Sequence, residues 1–194
     1  MTQPRRLIAS LPLMLLATAA AAHTGGSAGG FASGFAHPIG GWDHVVAMVA
    51  VGLWGAFLGA PALWLLPVVF PLVMAFGGAL GVLGVPLPMV EAGIALSGVV
   101  LGLLIAFAVR APLWVAAVIV GVFAVFHGHA HGTELPDAAN PYAYGIGFVL
   151  ATGLLHLAGI GLGAFVGSTG GRIVVRAVGA AIAAAGAGFL FGFA

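Results

Sequence analysis

Leu113–Glu134 reads LWVAAVIVGVFAVFHGHAHGTE, and this stretch decides what kind of protein the chain can be. Its first 14 residues, Leu113–Phe126, are apolar and carry no charge. As helix they cover about 21 Å at 1.5 Å per residue, short of the ~30 Å hydrocarbon core of a bilayer. A crossing is completed only if the helix runs on to about Gly132, which carries His127 and His131 to membrane depth. Four residues apart, the two imidazoles share one face, and Glu134 lies three further along it. Gly128 and Gly132 flank that face and admit a neighbouring helix. His129 points elsewhere, toward a rim.

The rest of the chain fits a membrane context. Of 194 residues, 62% are hydrophobic and 5% charged, against about a quarter charged in soluble domains. Five further apolar runs accompany Leu113–Phe126: Trp42–Ala60, Trp64–Val85, Val90–Val109, Tyr142–Val166 and Ile173–Phe193. Only helices satisfy their own backbone groups across lipid, apart from closed barrels, so the expectation is an all-α polytopic bundle of six transmembrane helices over residues 42–194. Short connections marked by Pro61, Pro86, Pro88 and Pro112 predict that consecutive helices are antiparallel neighbours. Asn140-Pro141 has the form of a helix start, Asn capping and Pro in the first turn. Gly55/Gly59, Gly77/Gly81, Gly98/Gly102 and Gly159/Gly163 are small-xxx-small pairs suited to close helix contact.

Residues 1–22 have the form of a cleavable signal peptide: Arg5-Arg6, an apolar run from Leu7 to Leu16, and Ala20-Ala21-Ala22 before His23. Residues 23–41 then form a periplasmic tether, Gly/Ser-rich from Thr24 to Gly34. His23, once N-terminal, could chelate a metal through its amine and ring, although an incidental residue after the cleavage point is the commoner case. With an external mature N-terminus, Arg110, Arg172 and Arg176 fall on the cytoplasmic side, as the positive-inside rule asks. The expected location is therefore a bacterial inner membrane.

Five Arg and no Lys leave no basic surface for nucleic acid, and zero Cys removes thiolate ligands, disulfides and a cysteine nucleophile. Seven His and four carboxylates remain, and an ionisable group in a membrane segment is a functional candidate by default. His37, Asp43, His44, His127, His131 and Glu134 gather at the outer side, with Glu91 at the start of the third run. His156 lies about 17 Å deeper along its helix, with Thr152 on the same face. Met48, four residues past His44, could add a thioether but suits packing better. Imidazole with carboxylate suits Ni²⁺, Co²⁺, Zn²⁺ or Cu²⁺, whereas Mg²⁺ and Ca²⁺ prefer oxygen shells. A lone buried His more often serves an interhelical hydrogen bond. Several on one membrane face point instead to a divalent metal as cargo, with no permanent cofactor. No Walker A string is present, so ATP is not the direct energy source within this chain. The alternative is an intramembrane metal-dependent hydrolase, weakened by the absence of H-E-x-x-H.

Two motifs, H-x(5)-D-H at His37, Asp43 and His44, and F-H-G-x-A-H-G-x-E from Phe126 to Glu134, resemble the HupE/UreJ family of hydrogenase and urease accessory membrane proteins. The segment ATGLLHLAG around Thr152 and His156 looks similar as well. The resemblance implies a nickel permease, with cobalt in some members, working beside hydrogenase or urease maturation proteins. It implies that His37, Asp43, His44, His127, His131 and Glu134 are needed for transport. The related nickel/cobalt transporter superfamily places a similar first motif on a helix. Here Pro38 and Gly40-Gly41 after His37 predict an extended approach segment instead.

Overall fold

The computed structural model describes residues 30–135 and 140–193; the expected signal peptide and His23 lie outside them. Among the described residues seven α-helices follow in order: α1 (Phe31–Gly40), α2 (Trp42–Leu58), α3 (Ala62–Val82), α4 (Val90–Ala106), α5 (Leu113–Thr133), α6 (Pro141–Gly163) and α7 (Thr169–Leu190). A short 3₁₀ turn, Ala164–Gly167, links the last two, and no strand occurs among the described residues. Each of the six apolar runs shares most of its length with one of the helices α2–α7, although α3, α5, α6 and α7 each extend past an end of their run. Four of them (α3, α5, α6 with its 3₁₀ extension, and α7) are long and apolar enough to cross a membrane, and α1 with α2, bent by 84°, makes up to a fifth. At 17 residues, α4 reaches only about 25 Å. The chain is a multi-pass helical membrane protein.

α5 runs to Thr133 with Glu134 as its C-cap, as the hydrocarbon thickness required. Its exposed apolar residues, Trp114, Val118 and Val122, recur at helical spacing, while Ala116, Val120 and Ala124 on another face are buried. Large apolar side chains thus face outward, where lipid rather than water is their solvent. Lipid tails are as apolar as leucine, so helix association depends on close contact between backbones. Glycine supplies it. A Cβ at Gly128 would collide with the Met74 carbonyl and one at Gly132 with that of Gly78; reciprocally, Gly77 lies against Val125 and Gly81 against His129. The α3–α5 seam is therefore glycine from both sides. Gly98 and Gly102 meet Gly186 and Gly179 between α4 and α7, and Gly52 and Gly159 bring α2 onto α6.

These seams correct one expectation. Of the consecutive pairs, α2 with α3 and α4 with α5 do pack, but the most extensive contacts join α3 with α5, α4 with α7 and α2 with α6, whereas α3 with α4 and α5 with α6 barely touch. Short connections limit where the next helix can start, but glycine placement decides which helix it lies against.

A second correction concerns His37. Residues 31–40, expected as part of a tether and as an extended approach, form the ten-residue helix α1. Gly34 is a contact surface rather than loop material: a Cβ on it would meet the Tyr144 backbone, and one on Gly147 the Phe31 carbonyl. Pro38, inside α1 and two residues from its end, has no N–H to donate, so one rung of the ladder is absent there. The chain then breaks at Gly41 and re-enters as α2.

Asn140 caps α6 as the sequence predicts, its side-chain oxygen accepting from Tyr142 N and Ala143 N at 3.1 Å each. Asn140→Ala should cost about 1 kcal/mol of local stability. The change should register as faster amide exchange in the first turn of α6, with the α3–α5 amides unchanged.

Candidate metal centre

Four helices deliver the polar side chains to one end of the bundle. α1 brings His37 from its last turn, α2 brings Asp43 and His44 from its first, and α5 brings His127, His131 and the Glu134 cap. α6 closes the group with Tyr144 and Phe148. His131 is the hub. Its ring centroid lies 4.8 Å from that of His37 and 4.4 Å from that of His44, and His44 is 4.9 Å from His127.

Within this group His37, His131 and Glu134 each offer a ligand atom, and those atoms all lie within 4.8 Å of one another. His37 Nε2 is 3.6 Å from Glu134 Oε2. Metal–nitrogen bonds of about 2.1 Å set two ligands on opposite sides of an ion about 4.2 Å apart, so closing this set on a cation needs only small side-chain movements.

Asp43 plays a different part. Its Oδ1 accepts from the His44 backbone N–H and lies on His44 Nδ1, both at 2.8 Å. A carboxylate on Nδ1 fixes the neutral ring as the Nδ1–H tautomer and turns the Nε2 lone pair outward, as the partners of metal-binding histidines do. His44 Nε2 is buried and has no hydrogen-bond partner. Asp43 thus orients the His44 ring and adds negative charge beside it.

Exposure falls along the group. The Glu134 side chain is 57% exposed, His37 29% and His44 12%, while His127 is fully buried. Both ring nitrogens of His131 and Nδ1 of His127 are buried without a partner. An orphaned buried polar atom costs about 1–3 kcal/mol, and the cost recurs here on adjoining rings. Such a set is poorly matched to itself and well matched to a cation that has shed water.

His156 stands apart. The Phe70 ring packs against both His156 and the outer group, 5.5 Å from the centroids of His127 and His156. His156 and Thr152 are buried on one face of α6, and neither ring nitrogen nor the Thr152 hydroxyl has a partner. Phe70 was not legible as a site residue, since one aromatic in the apolar run LWLLPVVFPLV carries no polar signal. Met48 belongs to the core. His129 turns away from the cluster, but it is buried rather than at a rim, and its Nε2–H donates to the Val85 carbonyl at 2.8 Å. Glu91 lies outside the histidine group and, with Asp43, lines a separate crevice of about 290 Å³ beside the end of α7.

The opposite end is basic. Arg176 Nε donates to the Ala106 carbonyl at the end of α4, and Arg110 lies 5.2 Å over the Phe57 ring near the end of α2.

Comparison with known proteins identifies a family. The family described as "HupE / UreJ protein" matches residues 11–189. The curated Protein HupE of Rhizobium leguminosarum bv. viciae is 48% identical over 187 residues, covering 96% of this chain and 98% of that protein. No solved structure matches. A match that takes in every helix and both polar motifs leaves one assignment: this chain belongs to the HupE/UreJ family of hydrogenase and urease accessory membrane proteins.

Proposed function

We propose that the protein is a secondary permease for a divalent transition metal, with Ni²⁺ as the cargo and Co²⁺ as a second substrate, supplying nickel-enzyme maturation. One observation carries this reading: imidazoles from three helices and a carboxylate converge at one end of a membrane bundle, with one buried nitrogen of His44, one of His127 and both of His131 unpartnered. In the proposed topology all six apolar runs span an inner membrane. The Arg110/Arg176 end is cytoplasmic by the positive-inside rule, and the histidine end and mature N-terminus are periplasmic.

Glu134, the most exposed of the group, meets the hydrated ion and offsets its charge. His37 and His131 replace part of the lost water, His44 and His127 continue the path inward, and neutral imidazole is the ligand at each stage. Phe70 then flanks the step to His156, and its π-face is a favourable neighbour for a cation in transit. The inner half has few strong ligands, which favours release, since conduction needs sites that can be left.

The test is uptake of nickel, cobalt and zinc, measured side by side in membrane vesicles holding the protein. Saturable nickel uptake that His37→Ala reduces at least about tenfold is the expected result. Uptake no greater than in vesicles without the protein would overturn the permease reading.

A further inference from the structure

Ser97 lies in α4, fully buried, in a helix whose other side chains near it are apolar. Its Oγ is 2.6 Å from the Ile94 carbonyl oxygen and 2.9 Å from His127 Nε2. A serine hydroxyl has one proton to give. Two oxygens 2.6 Å apart repel unless a proton lies between them, and the carbonyl has none. The hydroxyl proton is therefore committed to Ile94. The contact with His127 then exists only if Nε2 carries a hydrogen and donates it to Oγ. In a neutral imidazole that leaves Nδ1 as the one lone pair, and His127 Nδ1 is buried without a partner.

We propose that Ser97 is a positioning residue that locks His127 in the Nε2–H tautomer and so presents Nδ1 to a divalent metal ion. The arrangement on His44 is the mirror of this one, where Asp43 holds Nδ1 and leaves Nε2 free. The two adjoining rings, at 90° to each other, thus present opposite nitrogens through opposite anchors. Asp43 contributes charge to its histidine, while Ser97 orients His127 without adding any, which suits a ring with no exposed surface. The purpose assigned to the lock rests on the metal-permease reading; the tautomer itself does not.

Nitrogen-15 NMR of histidine-labelled, full-length protein in lipid, with His127 assigned by its loss in His127→Gln, distinguishes Nε2–H from Nδ1–H directly. Nickel affinity of the same samples is read by isothermal titration. The expected result is an Nε2–H signature in the wild type that broadens or redistributes in Ser97→Ala, a nickel Kd raised about tenfold in that variant, and restoration of both by Ser97→Thr. A wild-type Nδ1–H signature overturns the proposal whatever the variants do. So does a Ser97→Ala protein with the wild-type signature, or one whose tautomer shifts while Kd stays unchanged. Failure of the permease reading looks different: nickel binds and the signature is as expected, yet vesicles take up no metal.

Discussion

His131→Ala should lower nickel uptake at least about 100-fold, more than any other single truncation in the group. Loss of a group that only orients a ligand already costs about 10–100-fold in metal affinity, and the permease reading makes His131 a ligand. Its ring touches both His37 and His44, so its removal separates the half-exposed mouth from the buried interior as well as deleting two nitrogens. The measurement is initial uptake rate against nickel concentration in vesicles, normalised to protein in the membrane. Glu134→Gln should be milder and act mainly through KM, because an exposed carboxylate steers and neutralises but leaves the imidazoles in place. Folding is expected to survive His131→Ala, since neither ring nitrogen makes a hydrogen bond to lose. Equal uptake by wild type and His131→Ala would remove the hub from the path.

Much of this arrangement is legible in the sequence. Helix α5 was legible because bilayer thickness sets a minimum length, which forced the helix through His127 and His131. The glycines beside them were legible as a contact surface for the same reason that lipid gives helices no other way to hold each other. The identity of the partner helix was not, because Gly77/Gly81 and Gly159/Gly163 look alike in sequence and only their register against Gly128 and Gly132 chooses between them. His37 was misplaced onto extended chain because Pro38 and Gly40-Gly41 are ordinary breakers in water. A usable signal existed: Phe31, Gly34, Phe35 and Pro38 recur at helical spacing, and Gly34 and Pro38 are the buried pair of α1. Ser97 escaped because attention to ionisable residues passes over a single hydroxyl in an apolar helix. Asking which groups a membrane-buried imidazole could bond to would have found it, since hydroxyls are scarce in these runs.

Gly128→Val should destabilise the bundle by about 3 kcal/mol, at the upper end of what overpacking costs, and abolish transport with every side chain of the histidine group intact. Even a Cβ at this position would overlap the Met74 carbonyl and stand 2.8 Å from Gly78 N. Both are backbone atoms that cannot rotate away. The only relief is to move α5 off α3, and α5 carries His127, His131 and Glu134 while α3 carries Phe70. Displacement by even about 1 Å is enough to spoil a preorganised ligand set. Gly121 on the same helix supplies the control. A Cβ there meets only Val73 Cγ2 at an ordinary 3.9 Å, so Gly121→Ala should be neutral or stabilise by up to about 1 kcal/mol through helix propensity. Thermal unfolding in detergent, read beside uptake in vesicles, separates the two. If Gly128→Val unfolded at the wild-type temperature, α3 and α5 would not be held by backbone contact at this seam. The close approach that places the histidines would then need another cause.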